Sequence, residues 1–471
     1  MSISPQTAAS FPIAPDVVPP MDSTFCPASL AMRWHRQQVA AAEEAPGELV
    51  LAVERQDGAV SRRRIRLLPS DHRFSSLNDR IADRELKFLL WARGGFRVTI
   101  NGPGPLCARL IETYQAGGAR DFDRDIVQKV YDRGLTIVEV ENVSDLPGAR
   151  EAATPVGGHL DGCRIGFDLG ASDYKLAAVR DGEPVFSTEI PWDPVPQSDP
   201  GYHYQRISEG LRQAAEHLPR VDAIGGSAAG IYIENQPRVA SLFRGIPESR
   251  FGEVRTLFER LQGDWGVPLV VVNDGDVTAL AGALSLGKNN LLGIAMGSSE
   301  AAGFIDARGR ITGCLNELAF APVDFSLTAP EDEWSGDTGV GAQYFSQQAV
   351  GRLAAGAGFA FPASMPLPEQ LKRVQTAAEK GDERAEKLFA TIGTYLGYAL
   401  PHYRDYYGFE HVLLLGRVMS GAGGERILAT ARETLATEFP QLQQEISLHI
   451  PDEKSRRVGQ AVAAASLPAI K

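Results

Sequence analysis

Cysteine is scarce in this chain of 471 residues: Cys26, Cys107, Cys163 and Cys314 are all there are, with no C-x-x-C pair among them. That spacing argues against a disulfide framework and against a structural zinc site. Long apolar runs are lacking too, since the most apolar stretches, 267–272 and 291–296, fall far short of the roughly eighteen residues that cross a bilayer. No membrane span is expected. Basic residues are in deficit, with 47 Lys and Arg against 59 Asp and Glu for a net charge of −12, which opposes unspecific attraction to a phosphate backbone. A nucleic-acid partner is therefore disfavoured. Residues 1–22 are rich in Pro, Ser and Ala but lack the basic start and apolar block of a secretory leader, so a cytoplasmic protein with a flexible N-terminal arm over 1–28 is expected.

What is present is ordinary for a folded protein: 44% hydrophobic and 23% charged residues, with 48 glycines. At roughly 150 residues per domain the length suggests two to four domains. A helix over 29–45, a hairpin over 48–54 and 60–68, further helices over 77–92, 106–114 and 123–132, and short strands over 96–100 and 135–140 predict an α/β domain spanning 29–143. A Pro-, Gly- and Ala-rich stretch over 144–163 reads as a linker. From 164 a three-stranded meander opens an α/β lobe reaching to about 290, and a second lobe, again opened by strands around small-residue turns, fills 291–471, its last helix returning toward the first. Two such lobes suggest a nucleotide held in the cleft between them.

Four constellations could carry chemistry. Asp168-Leu-Gly170-Ala-Ser172-Asp173-Tyr-Lys175 lies between two strands; small residues let backbone N–H groups approach an anion, and Asp168 could hold a phosphate-bound Mg2+ through water. An ordinary strand turn would look the same. Val272-Asn273-Asp274-Gly275-Asp276 follows an apolar strand and precedes a helix, where open α/β sheets place reactive groups. Helix capping by Asp274 or Asp276 is the competing reading. Gly297-Ser298-Ser299-Glu300 forms a turn that could cup phosphates or be a plain hairpin, and Gly416-Arg417 opens a glycine-rich strand-to-helix loop suited to a base and ribose, or to simple connection.

The order and spacing of these motifs over residues 164–465 resembles the ROK family (repressors, open reading frames, kinases), a branch of the sugar kinase, actin and heat-shock ATPase superfamily. Ile165-Gly-Phe-Asp168-Leu-Gly170 is similar to the family's first phosphate motif, Asp222-Ala-Ile-Gly-Gly-Ser-Ala-Ala-Gly230 to a strand entering a turn, and Gly266-Val-Pro-Leu-Val-Val-Val-Asn273-Asp274 is the most specific match. The resemblance implies a two-lobed actin-like (ribonuclease H-like) fold after an additional α/β domain, and ATP-dependent phosphorylation of a sugar or polyol. Asp274 would be the general base and Asn273, Glu317, Gly230 and Asp276 would bind substrate. Asp168, Gly170, Ser172, Lys175, Gly297, Ser298, Ser299, Gly416 and Arg417 would hold the nucleotide, with Mg2+ on Asp168 through water. Homodimers are common in that family.

The pattern also departs from the family. Phe320 stands where the family motif ends in an often zinc-binding histidine, and the downstream cysteine cluster is missing, so no zinc is expected. Ser299 replaces a glycine in the second phosphate motif, and Glu300 beside it would repel phosphate unless it faces away. These changes leave open a catalytically weak or inactive sugar-binding regulator. Residues 1–163 lack a winged helix-turn-helix pattern, and their element order suggests a degenerate duplicate of the first lobe. The basic run Arg62-Arg63-Arg64 falls on a strand of that region.

Overall fold

The computed structural model describes residues 10–150, 156–451 and 453–470. Alternation of apolar residues predicts strands in the first third, and they form there: β1 (Gly47–Glu54), β2 (Val60–Leu67), β3 (Arg97–Asn101) and β4 (Thr136–Glu139) make one sheet in the order β2-β1-β3-β4. It is flanked by α1 (Ala28–Ala41), α2 (Leu77–Arg93), α3 (Gly104–Thr113) and α4 (Asp121–Tyr131). The first lobe holds β5 (Cys163–Leu169), β6 (Asp173–Arg180), β7 (Glu183–Pro191), β8 (Ala223–Ala228) and β11 (Leu269–Asn273), ordered β11-β8-β5-β6-β7, and a hairpin of β9 (Ile231–Ile233) and β10 (Gln236–Val239). Helices α5 (Pro200–Ala215), α6 (Phe251–Arg255) and α7 (Leu257–Trp265) accompany it, and α8 (Asp274–Leu286) leads out. The second lobe has β12 (Leu291–Met296), β13 (Glu300–Ile305), β14 (His411–Leu415) and β15 (Ser447–His449), ordered β13-β12-β14-β15. Its helices are α9 (Gln347–Gly356), α10 (Leu367–Glu379), α11 (Glu383–Tyr407), α12 (Gly421–Glu438), α13 (Pro440–Glu445) and α14 (Glu453–Ala465).

Both lobes follow one plan, an antiparallel hairpin extended by parallel strands: β5 pairs antiparallel with β6 and parallel with β8, and β12 pairs antiparallel with β13 and parallel with β14. After β13 the chain of the second lobe makes only a bridge between Ile305 and Ile311, and Ile311 also pairs with Val156. Helix α14 returns to the first lobe. Gly166 and Gly225 are register partners on β5 and β8, and a Cβ on either would collide with the carbonyls of Ala461 and Ala464 in α14. Only glycine lets the helix backbone lie on the sheet this closely.

Three expectations for the first third need correction. A duplicated lobe would pair its hairpin strand parallel to the strand after the first helix, yet β1 and β3 are antiparallel, so this sheet is not a copy. Nor is residues 29–143 a separately cored domain: Leu49, Phe88 and Trp91 belong to one continuous core with Phe345, Tyr395 and Leu414 of the second lobe. Phe88 stacks on Tyr406 at 3.9 Å between ring centroids. Finally, the part of the arm within the described residues is packed rather than free. Apolar side chains spaced among prolines seat it on the second lobe, with Phe11 and Phe25 buried, and the hydroxyls of Tyr395 and Tyr398 donate to Asp22 Oδ2 (2.7 Å) and the Val17 carbonyl (3.0 Å). Residues 1–9, and 151–155 of the linker, lie outside the described residues.

The first third also reaches the first lobe. Val127, Val130 and Tyr131 of α4 pack with Ile231 of β9. Just beyond α4, the Asp132 carboxylate pairs with Arg238 and, at 2.8 Å, with Arg255. Among the described residues no helix is long and apolar enough to cross a membrane.

Candidate active site

The site grows from the junction of β11 and α8. Asn273 caps α8: its Oδ1 accepts the Gly275 N–H at 2.6 Å and its Nδ2 donates to the Gly230 carbonyl at 2.8 Å. Gly230 has φ +118, and a Cβ there would meet the Val239 carbonyl, so this glycine is required by the backbone. With most of its amide spent on the head of α8 and the turn after β8, Asn273 builds the site more than it faces a ligand. Asp274, half-buried, opens α8, and its Oδ1 also accepts from Gly275 N–H at 3.0 Å. Burial, reinforced by the negative charge of Asp168, pushes its carboxyl up to about 6. The capping expected of Asp274 or Asp276 falls chiefly to Asn273.

Asp168 ends β5, buried, with Ser227 of β8 donating to Oδ1 at 2.7 Å and Lys175 of β6 at 3.5 Å from Oδ2. The turn that follows is held from within and from outside. Gly170 N–H donates to the Asp173 carbonyl (3.0 Å), Ser172 Oγ to Asp173 Oδ2 (2.9 Å), and Trp192 Nε1 to the Gly170 carbonyl (2.7 Å). Trp192 is thus an anchor for the turn.

Asp276, buried one half-turn further along α8, accepts from Asn316 Nδ2 at 2.8 Å. Burial raises its carboxyl to about 7, with Asp274 adding to the shift, and burial together with Asp274 and Asp276 raises Glu317 to about 8. Around neutrality these groups carry protons that ordinary carboxyls would have lost. Asn273, Asp276, Gly230 and Glu317 all line one cavity of about 510 Å3.

Glu317 is placed by the first third of the chain. The N–H groups of Leu315, Asn316 and Glu317 donate to the carbonyls of Arg93, Ala92 and Trp91 at 3.3, 3.1 and 3.0 Å, using acceptors that the C-terminus of α2 leaves free. Tyr407 of α11 donates to Asn316 Oδ1 at 3.0 Å. Phe320 packs against Trp91 and Phe122, with ring centroids at 4.5 and 5.4 Å, so the residue in the family's histidine position is a hydrophobic staple between the loop and the first third. Trp334 is 74% exposed and lies 6.5 Å from the Phe320 ring. Its acidic loop, residues 330–337, is fixed on α2 and on the start of α4 through Asp337, which pairs with Arg84, Lys87 and Arg120.

A second cavity, about 480 Å3, lies farther along α8, where Thr278 and Gly282 face Leu415, Gly416 and Arg417. Gly416 has φ +96, and a Cβ on it would meet the Met296 carbonyl; the loop after β14 thereby lies directly on the end of β12, beside Gly297. Ser298 and Ser299 are exposed at the turn tip. Glu300 points the other way. Its buried carboxyl accepts from Tyr403 at 3.2 Å and is raised by burial to about 8, so at neutral pH it presents no negative charge to the turn.

Sequence reasoning placed one group of residues at the first cavity, a second at the β5–β6 turn and a third at the Gly297 and Gly416 loops. It missed Arg55, Gln56, Asp57 and Tyr131, which line the first cavity from the first third of the chain. Their only local signal is the Gln-Asp-Gly turn. Among the described residues no group of three or more His, Cys, Asp or Glu side chains is arranged to hold a metal ion.

No protein-family profile matches the chain, and no curated protein matches its sequence. Solved structures do match. A ROK hexokinase from Thermus thermophilus is similar over 64% of this chain and 96% of its own, with 18% identity and a TM-score of 0.51. This is the ROK fold. A ROK family transcriptional regulator, described as a homolog of the E. coli MLC protein, shares it over 65% of this chain and 79% of its own, with 19% identity and a TM-score of 0.50. The ROK fold thus accounts for about two thirds of the chain and leaves an extra region.

Proposed function

We propose that this chain is a ROK-type kinase that transfers the terminal phosphoryl group of ATP to a hydroxyl of a sugar or polyol. The observation that carries the reading is the grouping at the head of α8: Asn273, Asp276 and Glu317 line one cavity, and Asp274, between Asn273 and Asp276 in the chain, has a carboxyl raised to about 6 by burial and by the charge of Asp168. Asp274 takes the proton of the attacking hydroxyl. A weak base suffices, because phosphoryl transfer rests mainly on positioning and charge stabilisation. Glu317 and Asp276 hold neighbouring hydroxyls, and Asn273 fixes the head of α8 to the turn after β8, which sets the distance. ATP would supply the phosphoryl group and Mg2+ would offset its charge. Asp168 suits that ion, which typically keeps several waters and takes only one or two carboxylates, and the loop at Gly416 has the bare backbone that a nucleotide can lie against. The inward turn of Glu300 and the packing of Phe320 favour this reading over an inactive sugar-binding regulator, which Ser299 alone still favours.

The deciding assay is ADP release across hexoses, amino sugars, pentoses and inositols; release independent of any sugar rejects the proposal. Activity should also report the Asp274 proton. The base must be ionised, so kcat/KM is expected to fall about tenfold for each unit of pH below about 6, and a flat profile there removes Asp274 as the base. On the nucleotide side, Gly416→Ala should weaken ADP binding at least tenfold by calorimetry, because the added Cβ drives the loop off Met296. Unchanged affinity would place the nucleotide elsewhere.

A further inference from the structure

The acceptor cavity is too large and too polar at its mouth for a single sugar ring. A hexose occupies on the order of 200 Å3, the room of six or seven liquid waters at about 30 Å3 each, less than half of the roughly 510 Å3 present. Its deep end carries Asn273, Asp276 and Glu317. Its outer end is formed by Gln56 and Asp57, in the β1–β2 turn, and by Glu234 in the β9–β10 turn, all three exposed. Tyr232 lies on the wall as well, and Tyr131 is buried behind it against Phe96.

We infer that the first third of the chain completes the acceptor site as a second subsite, and that the substrate is an uncharged two-ring sugar whose outer ring is read by Gln56 and Asp57. This rests on the kinase reading only for which ring is phosphorylated, the one at Asp274. Carboxylate and amide groups suit hydroxyls, as acceptors and mixed donors. An anionic extension is disfavoured because Asp57 and Glu234 sit at this end of the cavity, while the Arg55 guanidinium, which also lines it, is already paired with Asp57 at 3.6 Å. The subsite is rigidly joined to the inner one. Arg55, buried beside the turn, donates from Nη1 to the Arg93 carbonyl at 3.2 Å and contacts Cys314 Sγ at 3.1 Å, and Arg93 and Cys314 adjoin the loop that carries Glu317. The turn and Glu317 therefore keep a fixed separation, which limits the ordering cost of binding a ligand across both.

The test is calorimetry on the full chain, without nucleotide, using glucose, mannose and N-acetylglucosamine against maltose, cellobiose and sucrose. At least one two-ring sugar should bind about tenfold or more tightly than any single ring, the gain expected of one or two added hydrogen bonds. Gln56→Ala and Asp57→Asn should each collapse that ratio. The amide introduced by Asp57→Asn keeps an Oδ1 in the place of the one that accepts the Ala59 N–H at 2.9 Å, so the turn itself stays folded. Equal binding of one- and two-ring sugars, a ratio that survives both substitutions, or no binding by any of the six overturns the inference. ADP release separates it from the kinase reading: two-ring binding without ADP would keep the subsite and lose the kinase, and turnover of free hexoses insensitive to the turn would do the reverse.

Discussion

Asp274→Asn should lower sugar-dependent ADP release by roughly three orders of magnitude or more while leaving the sugar bound, because one group supplies both the base and the orientation of the attacking oxygen. The substitution is nearly isosteric. The amide keeps the Oδ1 that accepts the Gly275 N–H, so the head of α8 stays closed, with Asn273 still capping it. What disappears is the proton acceptor. Removing the charge has a second consequence of definite sign: Asp274 helps raise Glu317 and Asp276, so both carboxyls should titrate at lower pH in the mutant. Rates from a coupled ADP assay and sugar affinities from calorimetry read the two effects separately. A mutant that keeps a tenth of the activity would show that the proton leaves by another route.

Removing the first third should abolish folding, not merely activity. Residues 10–145 share their core with the second lobe, and a chain starting at residue 156 would uncover Phe325, Tyr344, Tyr395 and Tyr406, now covered in part by Phe11, Phe25 and Phe88. A fully uncovered aromatic side chain of 150–250 Å2 forfeits about 4–6 kcal/mol at about 25 cal/mol per Å2. Partial uncovering of these four, added to the loss of the rest of the shared core, is of the order of the total stability of about 5–15 kcal/mol typical of a native protein. The truncated chain is expected to be insoluble, or to bind a hydrophobic dye and melt without a cooperative transition. A soluble truncation with sugar-dependent ADP release would refute this.

The parts that could be read from sequence are those written in consecutive residues. Asp168 to Lys175, Asn273 to Asp276, Gly297 to Ser299 and Gly416 are short consecutive runs at strand ends, and Gly170, Gly275 and Gly416 are required by the backbone beside them, so a local pattern was enough. Glu317 could be named, but what holds it could not. Its support comes from the carbonyl end of α2, more than 200 residues earlier in the chain, and such pairing leaves no periodicity. Phe320 looked like a lost ligand because its partners Trp91 and Phe122 are equally remote. The basic run illustrates the converse: Arg63 pairs with Glu85 at 2.6 Å and lies over the Tyr406 ring, and Arg64 pairs with Glu48 at 2.8 Å. Its charge serves the fold, which composition alone could not tell.

The contact of α4 and Asp132 with the β9–β10 hairpin, together with the core shared by the first third and the second lobe, has a mechanical result. A hinged pair of lobes opens like a book; here a clasp joins the covers along the acceptor edge. Any rotation of one lobe against the other must shear Tyr131 past Ile231 and part Asp132 from Arg238 and Arg255. An opening motion is therefore expected to leave the mouth of the first cavity at its present width and to act at the edge where α8 faces Gly416.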